Sequence, residues 1–140
     1  MFSSISDEWS TPDDLFAQLD QEFHFTLDPC ATQANAKCAR YFTKEQDGLS
    51  QDWSSETVFM NPPHSGIKRW LRKAWEESQK PGITVVCLIP ARTDTKYWWD
   101  YVMQVWPHGI RFIRGRLKFG GSKNSATFPS AVVIFGEKGQ

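Results

Sequence analysis

Apolar and polar positions divide the chain into short segments of alternating helical and strand period. Leu15, Phe16, Leu19 and Phe23 fall on one helical stripe. Ahead of them, Thr11 is placed to cap the helix, Pro12 to fill its first position, and Asp14 to follow the cap by three residues. Phe25-Thr26-Leu27 alternates as a short strand and runs into Asp28-Pro29-Cys30-Ala31. Thr32 to Arg40 suggests a short helix, and Tyr41 to Gln51 a loop with a turn at Asp47-Gly48. Thr57 to Met60 is a second strand, closed by Asn61-Pro62-Pro63-His64.

Ile67 to Gln79 carries the clearest amphipathic pattern. Ile67, Trp70, Leu71, Ala74, Trp75 and Ser78 form its apolar face, and six charged residues, Glu77 among them, form the other. Ile83 to Ile89 is continuously apolar, as expected of a central strand covered on both faces. Lys96 to Val105 predicts another helix packed through Trp98, Trp99, Val102 and Met103. Ile110 to Arg114 and Arg116 to Phe119 read as the two strands of a hairpin around Gly115, and Ser130 to Phe135 as the strand that closes the sheet.

Strand, amphipathic helix and strand in succession form a βαβ unit, so Thr57 to Met60 and Ile83 to Ile89 should be parallel neighbours. The Pro90-Ala91-Arg92-Thr93 loop then emerges at the same carboxyl edge as Asn61. The expected fold is a single α/β domain over residues 1–140: a compact, trimmed Rossmann-like sheet with helices on both faces and a C-terminal β-hairpin.

Composition adds three constraints. No apolar run approaches the roughly 18 residues of a membrane span, and the N-terminus lacks a signal-peptide pattern. The three cysteines are too few for a disulfide framework, and their spacing does not suit zinc, so a reducing cytoplasm and no metal are expected. Formal net charge is +0, yet residues 1–60 hold 11 acidic and 3 basic side chains whereas residues 61–140 hold 5 acidic and 13 basic. From Arg111 to Lys123 there are five basic residues and no acidic one. Basic side chains interleaved with aromatics beside Gly120-Gly121 suit a nucleic-acid backbone. The same pattern also suits an exposed sheet edge protected against aggregation.

The Asn61-Pro62-Pro63-His64 turn carries the chemistry. Proline fixes its own backbone and holds the preceding residue extended. The Asn61 side-chain oxygen and the Pro62 carbonyl are thereby set side by side, with a ring just beyond. Two aligned acceptors suit a planar amino group such as the exocyclic nitrogen of a nucleobase. Asp28, a carboxylate at the end of an early strand, stands where α/β sheets bind cofactors, or else caps the helix expected after it.

In sequence, Asn61-Pro62-Pro63-His64 resembles the Asn/Asp-Pro-Pro-Tyr/Phe signature of amino-group methyltransferases, with His64 at the aromatic position. Trp9-x-Thr11-Pro12, Leu27-Asp28-x-Cys30-Ala31-Thr32 and Leu88-x-Pro90-Ala91-Arg92-Thr93-Asp94-Thr95 extend the likeness. So do Arg111-Phe112-Ile113-x-Gly115-Arg116-Leu117-Lys118-Phe119, Gly120-Gly121-x-Lys123-Asn124-Ser125-Ala126 and Phe128-Pro129-Ser130. Together they resemble the small bacteriophage-encoded DNA adenine-N6 methyltransferases over nearly the whole chain.

That resemblance implies methyl transfer from S-adenosylmethionine, without a metal, to a flipped adenine in double-stranded DNA inside a bacterial host cell. Asn61, Pro62, Pro63 and His64 would form the catalytic turn. Trp9, Thr11, Pro12, Asp28, Pro29, Cys30 and Ala31 would line the cofactor pocket, with Glu45, Asp47 and Asp52 as candidate carboxylates for the cofactor ribose and Asp52 the first to test for its adenine. Arg92, Thr93, Arg114, Arg116, Lys118, Lys123, Asn124 and Ser125 would face DNA. A non-catalytic DNA-binding protein on the same scaffold, or a methyltransferase acting on RNA or a protein amide, is compatible with the same residues. Only 32 residues separate Asp28 from Asn61, too few for two further βα units.

Overall fold

A computed structural model describes residues 10–32, 35–120 and 124–136. Its elements are α1 (Asp13–Phe23), β1 (Leu27–Asp28), β2 (Arg40–Tyr41), β3 (Thr57–Met60), α2 (Ile67–Ser78), β4 (Thr84–Pro90), α3 (Lys96–Asp100), β5 (Ile110–Phe112) and β6 (Ser130–Gly136). Short 3-10 turns at Gly48–Ser50, His64–Gly66 and Val102–Val105 join them.

The sheet has six strands in the order β2-β1-β3-β4-β6-β5. β2, β1, β3 and β4 are parallel neighbours, with Met60 opposite Cys87, as the βαβ pattern requires. β6 runs antiparallel to β4 and to β5. Alternate residues of the central strands feed two cores, because side chains along a strand point to opposite faces. Val58, Met60, Val85, Cys87, Ile89, Val133 and Phe135 pack with α2 and with Trp98 and Val102. Phe59, Val86, Leu88, Val132 and Ile134 pack with Leu19 and Phe23 of α1 and with Phe119, Ala126 and Phe128. Helices therefore cover both faces, and the α/β architecture expected from sequence is the one observed.

Five local expectations differ. The described part of Thr32 to Arg40 is not helical. Thr32 and Asn35 exchange side-chain and backbone hydrogen bonds, the Asp28 carboxylate accepts the Lys37 N–H, and Arg40–Tyr41 then joins the sheet beside β1. Such side-chain bonds offer the backbone an alternative to the helical ladder. The helix from Lys96 stops at Asp100, where Tyr101 leaves helical geometry (φ −122°) and the chain tightens into a 3-10 turn. Trp98 and Val102 point inward, but Trp99 is 61% exposed and donates its indole N–H to the Thr93 carbonyl. Arg116 to Phe119 is not a strand: Gly115, at φ +78°, turns the chain out of the sheet, so β5 pairs with β6 instead. Glu77, assigned to the solvent face, is 5% exposed and accepts the Trp53 backbone N–H at 2.6 Å.

Candidate active site

Because β1, β3 and β4 are parallel neighbours, Asp28, Asn61 and the Ala91–Thr95 loop all emerge from one edge of the sheet. Asp28 is 5% exposed, and its two carboxylate oxygens accept the backbone N–H groups of Cys30 (3.4 Å) and Lys37 (3.1 Å). Burial raises its pKa from 3.8 to about 6, against the pull of those two amides and the Lys37 charge. Two backbone amides do not compensate the desolvation of a full charge, so the site favours a cationic partner beside this carboxylate.

Asn61 follows β3 directly, and the prolines after it prevent the strand from continuing into the helix that begins at Ile67. Its side-chain nitrogen donates to the Thr11 hydroxyl at 3.0 Å, across 50 residues of sequence. Thr11 is 4% exposed. It does not cap α1, whose N-cap position is Pro12 and which has no side-chain cap bond. The sequence pattern places Thr11 one residue too close to the helix, and the displacement turns its hydroxyl toward Asn61.

A cavity of about 490 Å³ joins these groups. Thr11, Asp28, Cys30, Ala31, Asn61 and Pro63 line it, and Pro29 contributes to the same wall. The volume lies within the roughly 300–1,000 Å³ of small-molecule sites. Burial pushes the Cys30 thiol well above its usual value, reinforced by Asp28 and opposed by the Asn61 backbone amide. Burial likewise raises Cys38 to about 12 and lifts Cys87 further. Burial thus disfavours the thiolate form at all three cysteines. Among the described residues no cluster of three or more His, Cys, Asp or Glu side chains is set to hold a metal ion, and no helix is long and apolar enough to cross a membrane.

Other predicted residues lie elsewhere. Pro12 and Pro62 border the site without lining the cavity. Trp9 and Lys123 fall outside the described residues. Asp52 is exposed and away from the cavity, bonded to Lys80 and Ser54, which hold its carboxyl below the usual range. Asp47 does line the cavity, whereas Glu45 does not. His64 also stays outside it and meets the buried Phe128 ring edge-on, with centroids 5.1 Å apart. The Arg92 guanidinium lies 5.6 Å from that same ring.

Thr93, Arg114, Arg116, Lys118, Asn124 and Ser125 are all exposed. The chain bearing Arg114, Arg116, Lys118, Asn124 and Ser125 is tied down at intervals, by Ile113 N–H to the Ser130 carbonyl, Gly120 N–H to the Ser10 carbonyl and Ala126 N–H to the Leu117 carbonyl. Arg111, by contrast, is engaged by both Glu22 carboxylate oxygens at 2.6–2.7 Å, which fastens β5 to α1.

Sequence reasoning missed Lys37, Gly48, Arg69 and Trp70, which also line the cavity. Lys37 sits on irregular chain and Gly48 at the start of a short 3-10 turn, neither with a periodic signal. Gly48 packs so closely that a Cβ would run into the Pro29 carbonyl and stand 3.1 Å from the Trp70 ring. Trp70 was legible as core, and it is buried, yet its edge reaches the cavity.

The family described as DNA N-6-adenine-methyltransferase (Dam) matches residues 2–138. The DNA N-6-adenine-methyltransferase of Haemophilus phage HP1 (strain HP1c1) is 30% identical over 142 residues, which span 96% of this chain and 82% of that protein. The DNA N-6-adenine-methyltransferase of Escherichia phage T1 is 28% identical over 96 residues, 67% of this chain and 40% of that protein.

Proposed function

The chain belongs to the DNA N-6-adenine-methyltransferase (Dam) family, and from that premise we propose that its cavity takes S-adenosylmethionine and that the Asn61-Pro62-Pro63 turn receives an adenine extruded from DNA. One observation carries this reading. The buried Asp28 carboxylate and Asn61, at the ends of neighbouring parallel strands, line a single cavity.

The donor set fits the cofactor. Asp28, a desolvated carboxylate with a pKa of about 6, suits the methionine ammonium. Asp47 is the carboxylate available at the cavity for ribose hydroxyls, and Pro29, Cys30 and Ala31 give close backbone walls. When bound, S-adenosylmethionine supplies an electrophilic methyl group.

The protein's part is to ready the adenine amino group. That nitrogen's lone pair is conjugated with the ring and is a poor nucleophile. The Asn61 side-chain oxygen and the Pro62 carbonyl accept its two protons, which draws the nitrogen toward a tetrahedral, more nucleophilic geometry. These bonds strengthen as positive charge develops on the amino group, so they favour the transition state over bound substrate. Transfer would form the N6–CH3 bond as the sulfonium S–CH3 bond breaks, leaving S-adenosylhomocysteine, and one of the two held protons would then pass to solvent water. Pro63 keeps the turn rigid. The adenine has to leave the stack to reach these acceptors, and His64, supported by Phe128, offers a ring at the turn's outer end. Arg92, Thr93, Arg114, Arg116, Lys118, Lys123, Asn124 and Ser125 are assigned to the DNA side, chiefly to the phosphate backbone.

The test uses labelled S-adenosylmethionine and unmethylated DNA, with modified nucleosides identified after digestion. Label is expected in N6-methyladenine. Asn61→Ala should lower transfer by roughly 100-fold or more while DNA affinity changes by no more than about twofold. Equal activity of the variant and wild type would remove Asn61 from the chemistry, and a matched loss of DNA binding would make its role structural.

A further inference from the structure

We infer that Thr11 is a positioning residue for methyl transfer: its hydroxyl receives the Asn61 side-chain nitrogen, which turns the oxygen of that amide toward the substrate amino group. This rests on the reading above, in which Asn61 presents an acceptor to adenine N6.

The two ends of an asparagine amide match in shape and oppose each other in hydrogen bonding, for the oxygen accepts and the nitrogen donates. The adenine amino group offers protons. Only one of the two amide orientations meets them with an acceptor, and the other sets donor against donor. Beside the buried Thr11, an amide N–H pointing away from the substrate needs an acceptor of its own, or the productive orientation carries an unsatisfied donor.

Thr11 provides that acceptor. Its hydroxyl is 3.0 Å from the Asn61 nitrogen, and the residue is 4% exposed. The nearby helix makes no competing use of it, since α1 has no side-chain cap bond. The Pro12 carbonyl accepts the Phe16 N–H at 3.1 Å, which anchors the segment to the first turn of α1. A threonine next to a helix start is a usual cap, and here that role has given way to a contact with a residue 50 positions later.

Thr11 also lines the cavity, so a direct cofactor contact is the competing role, and the test separates the two. Thr11→Val keeps the side-chain shape and removes the acceptor. It should lower kcat by about 3- to 10-fold, the equivalent of one hydrogen bond. Because Thr11 lines the cavity, the Kd for S-adenosylmethionine is measured by calorimetry alongside and kcat is read at saturating cofactor, where loss of a cofactor contact alone would leave it intact. Thr11→Ser, which keeps the hydroxyl, should recover most of the turnover. In 15N-labelled protein the Asn61 side-chain amide signal, assigned by its absence in Asn61→Ala, should move and exchange faster in Thr11→Val and return in Thr11→Ser.

Thr11→Ala serves as the second variant, since it removes the acceptor without placing a methyl group in its stead. Unchanged kcat in both variants, with Asn61→Ala inactive, would overturn the inference. A parallel rise in cofactor Kd with kcat intact at saturation would do so too, by making Thr11 a cofactor contact. If Asn61→Ala itself retains transfer, the failure belongs to the proposed function, and the amide spectrum still reports whether Thr11 holds Asn61.

Discussion

Asp28→Asn separates the stability of the fold from the use of its site. The wild-type carboxyl, raised from 3.8 to about 6 by burial, binds its proton more tightly in the folded chain than in the unfolded one. Between those two values the folded state holds more protons, so folding stability falls as pH rises through that window. The full effect, reached above about pH 6, is on the order of 3 kcal/mol, since one pKa unit corresponds to about 1.4 kcal/mol. Asparagine cannot ionise and escapes that penalty. It introduces another, because the two carboxylate oxygens each accept a backbone N–H and an amide has only one oxygen to offer. The lost bond costs about 1 kcal/mol, with a further donor–donor contact beside it.

At pH 7 the variant should therefore be at least as stable as wild type, and at pH 4 less stable by about 1–2 kcal/mol. Urea melts of both proteins at half-unit steps from pH 4 to 7.5 give the difference directly. Taking that difference cancels the other titrating groups, among them Glu22 and Asp13, whose carboxyls are held below the usual range by Arg111 and Lys37. Affinity for S-adenosylmethionine should move the other way. Wild-type binding should weaken up to about tenfold per pH unit below pH 6, because the carboxylate must be ionised to receive an ammonium, and binding by the variant should be weak and flat with pH. A stability difference that stays constant from pH 4 to 7.5 would refute the reasoning, for it would mean that Asp28 does not carry the desolvation its burial implies.

Two further variants test other parts of the molecule. Gly48→Ala drives a methyl group against the Pro29 carbonyl and the Trp70 ring, so it should cost about 1–3 kcal/mol, a fall in Tm of roughly 4–12 °C by calorimetry; an unchanged Tm would mean the turn and β1 are not packed together as described. Replacing Arg114, Arg116 and Lys118 together by Gln should flatten the dependence of log Kd for DNA on log salt by up to about 2.7, near 0.9 for each phosphate no longer neutralised, while leaving Tm within a few degrees, since all three are exposed. An unchanged salt slope would move the DNA-binding surface away from this segment.

The parts of the fold that periodicity governs were legible. Thr57–Met60, Ile67–Ser78 and Thr84–Pro90 have one strong pattern each, and their order dictates parallel pairing, which in turn brings Asp28, Asn61 and Arg92 to one edge. Where side chains compete with the backbone, the pattern misleads. Residues 32–40 carry a helix-compatible composition, but Asp28, Thr32 and Asn35 take the amides that a helix would use. The basic run from Arg111 likewise reads as uniform, although Glu22 claims Arg111 and leaves Arg114, Arg116 and Lys118 outward. A partner 89 residues distant leaves no local trace in sequence. Lys37 at the cavity and Thr11 on Asn61 escaped for the same reason.

The short interval between Asp28 and Asn61 explains how a trimmed sheet still encloses a cavity. Two residues of β2 and one 3-10 turn stand where further βα units would otherwise build the wall. Such a wall needs anchoring, and Trp53 provides it. The indole is fully buried, and its N–H donates to the Gly48 carbonyl at 3.0 Å. The Trp53 backbone N–H donates to Glu77 on α2. Burial pushes the Glu77 carboxyl upward, yet Lys80, the Trp53 amide and Lys73 together hold it below its usual value, so it is ionised at neutral pH. Glu77 belongs to α2, the helix that the Asn61-Pro62-Pro63 turn leads into. The loop bearing Gly48 and Asp47 and the helix after the turn are thus joined through one tryptophan. The wall of the cavity and the residues proposed for chemistry therefore keep their spacing because they are fastened to the same helix, rather than because a longer sheet separates them.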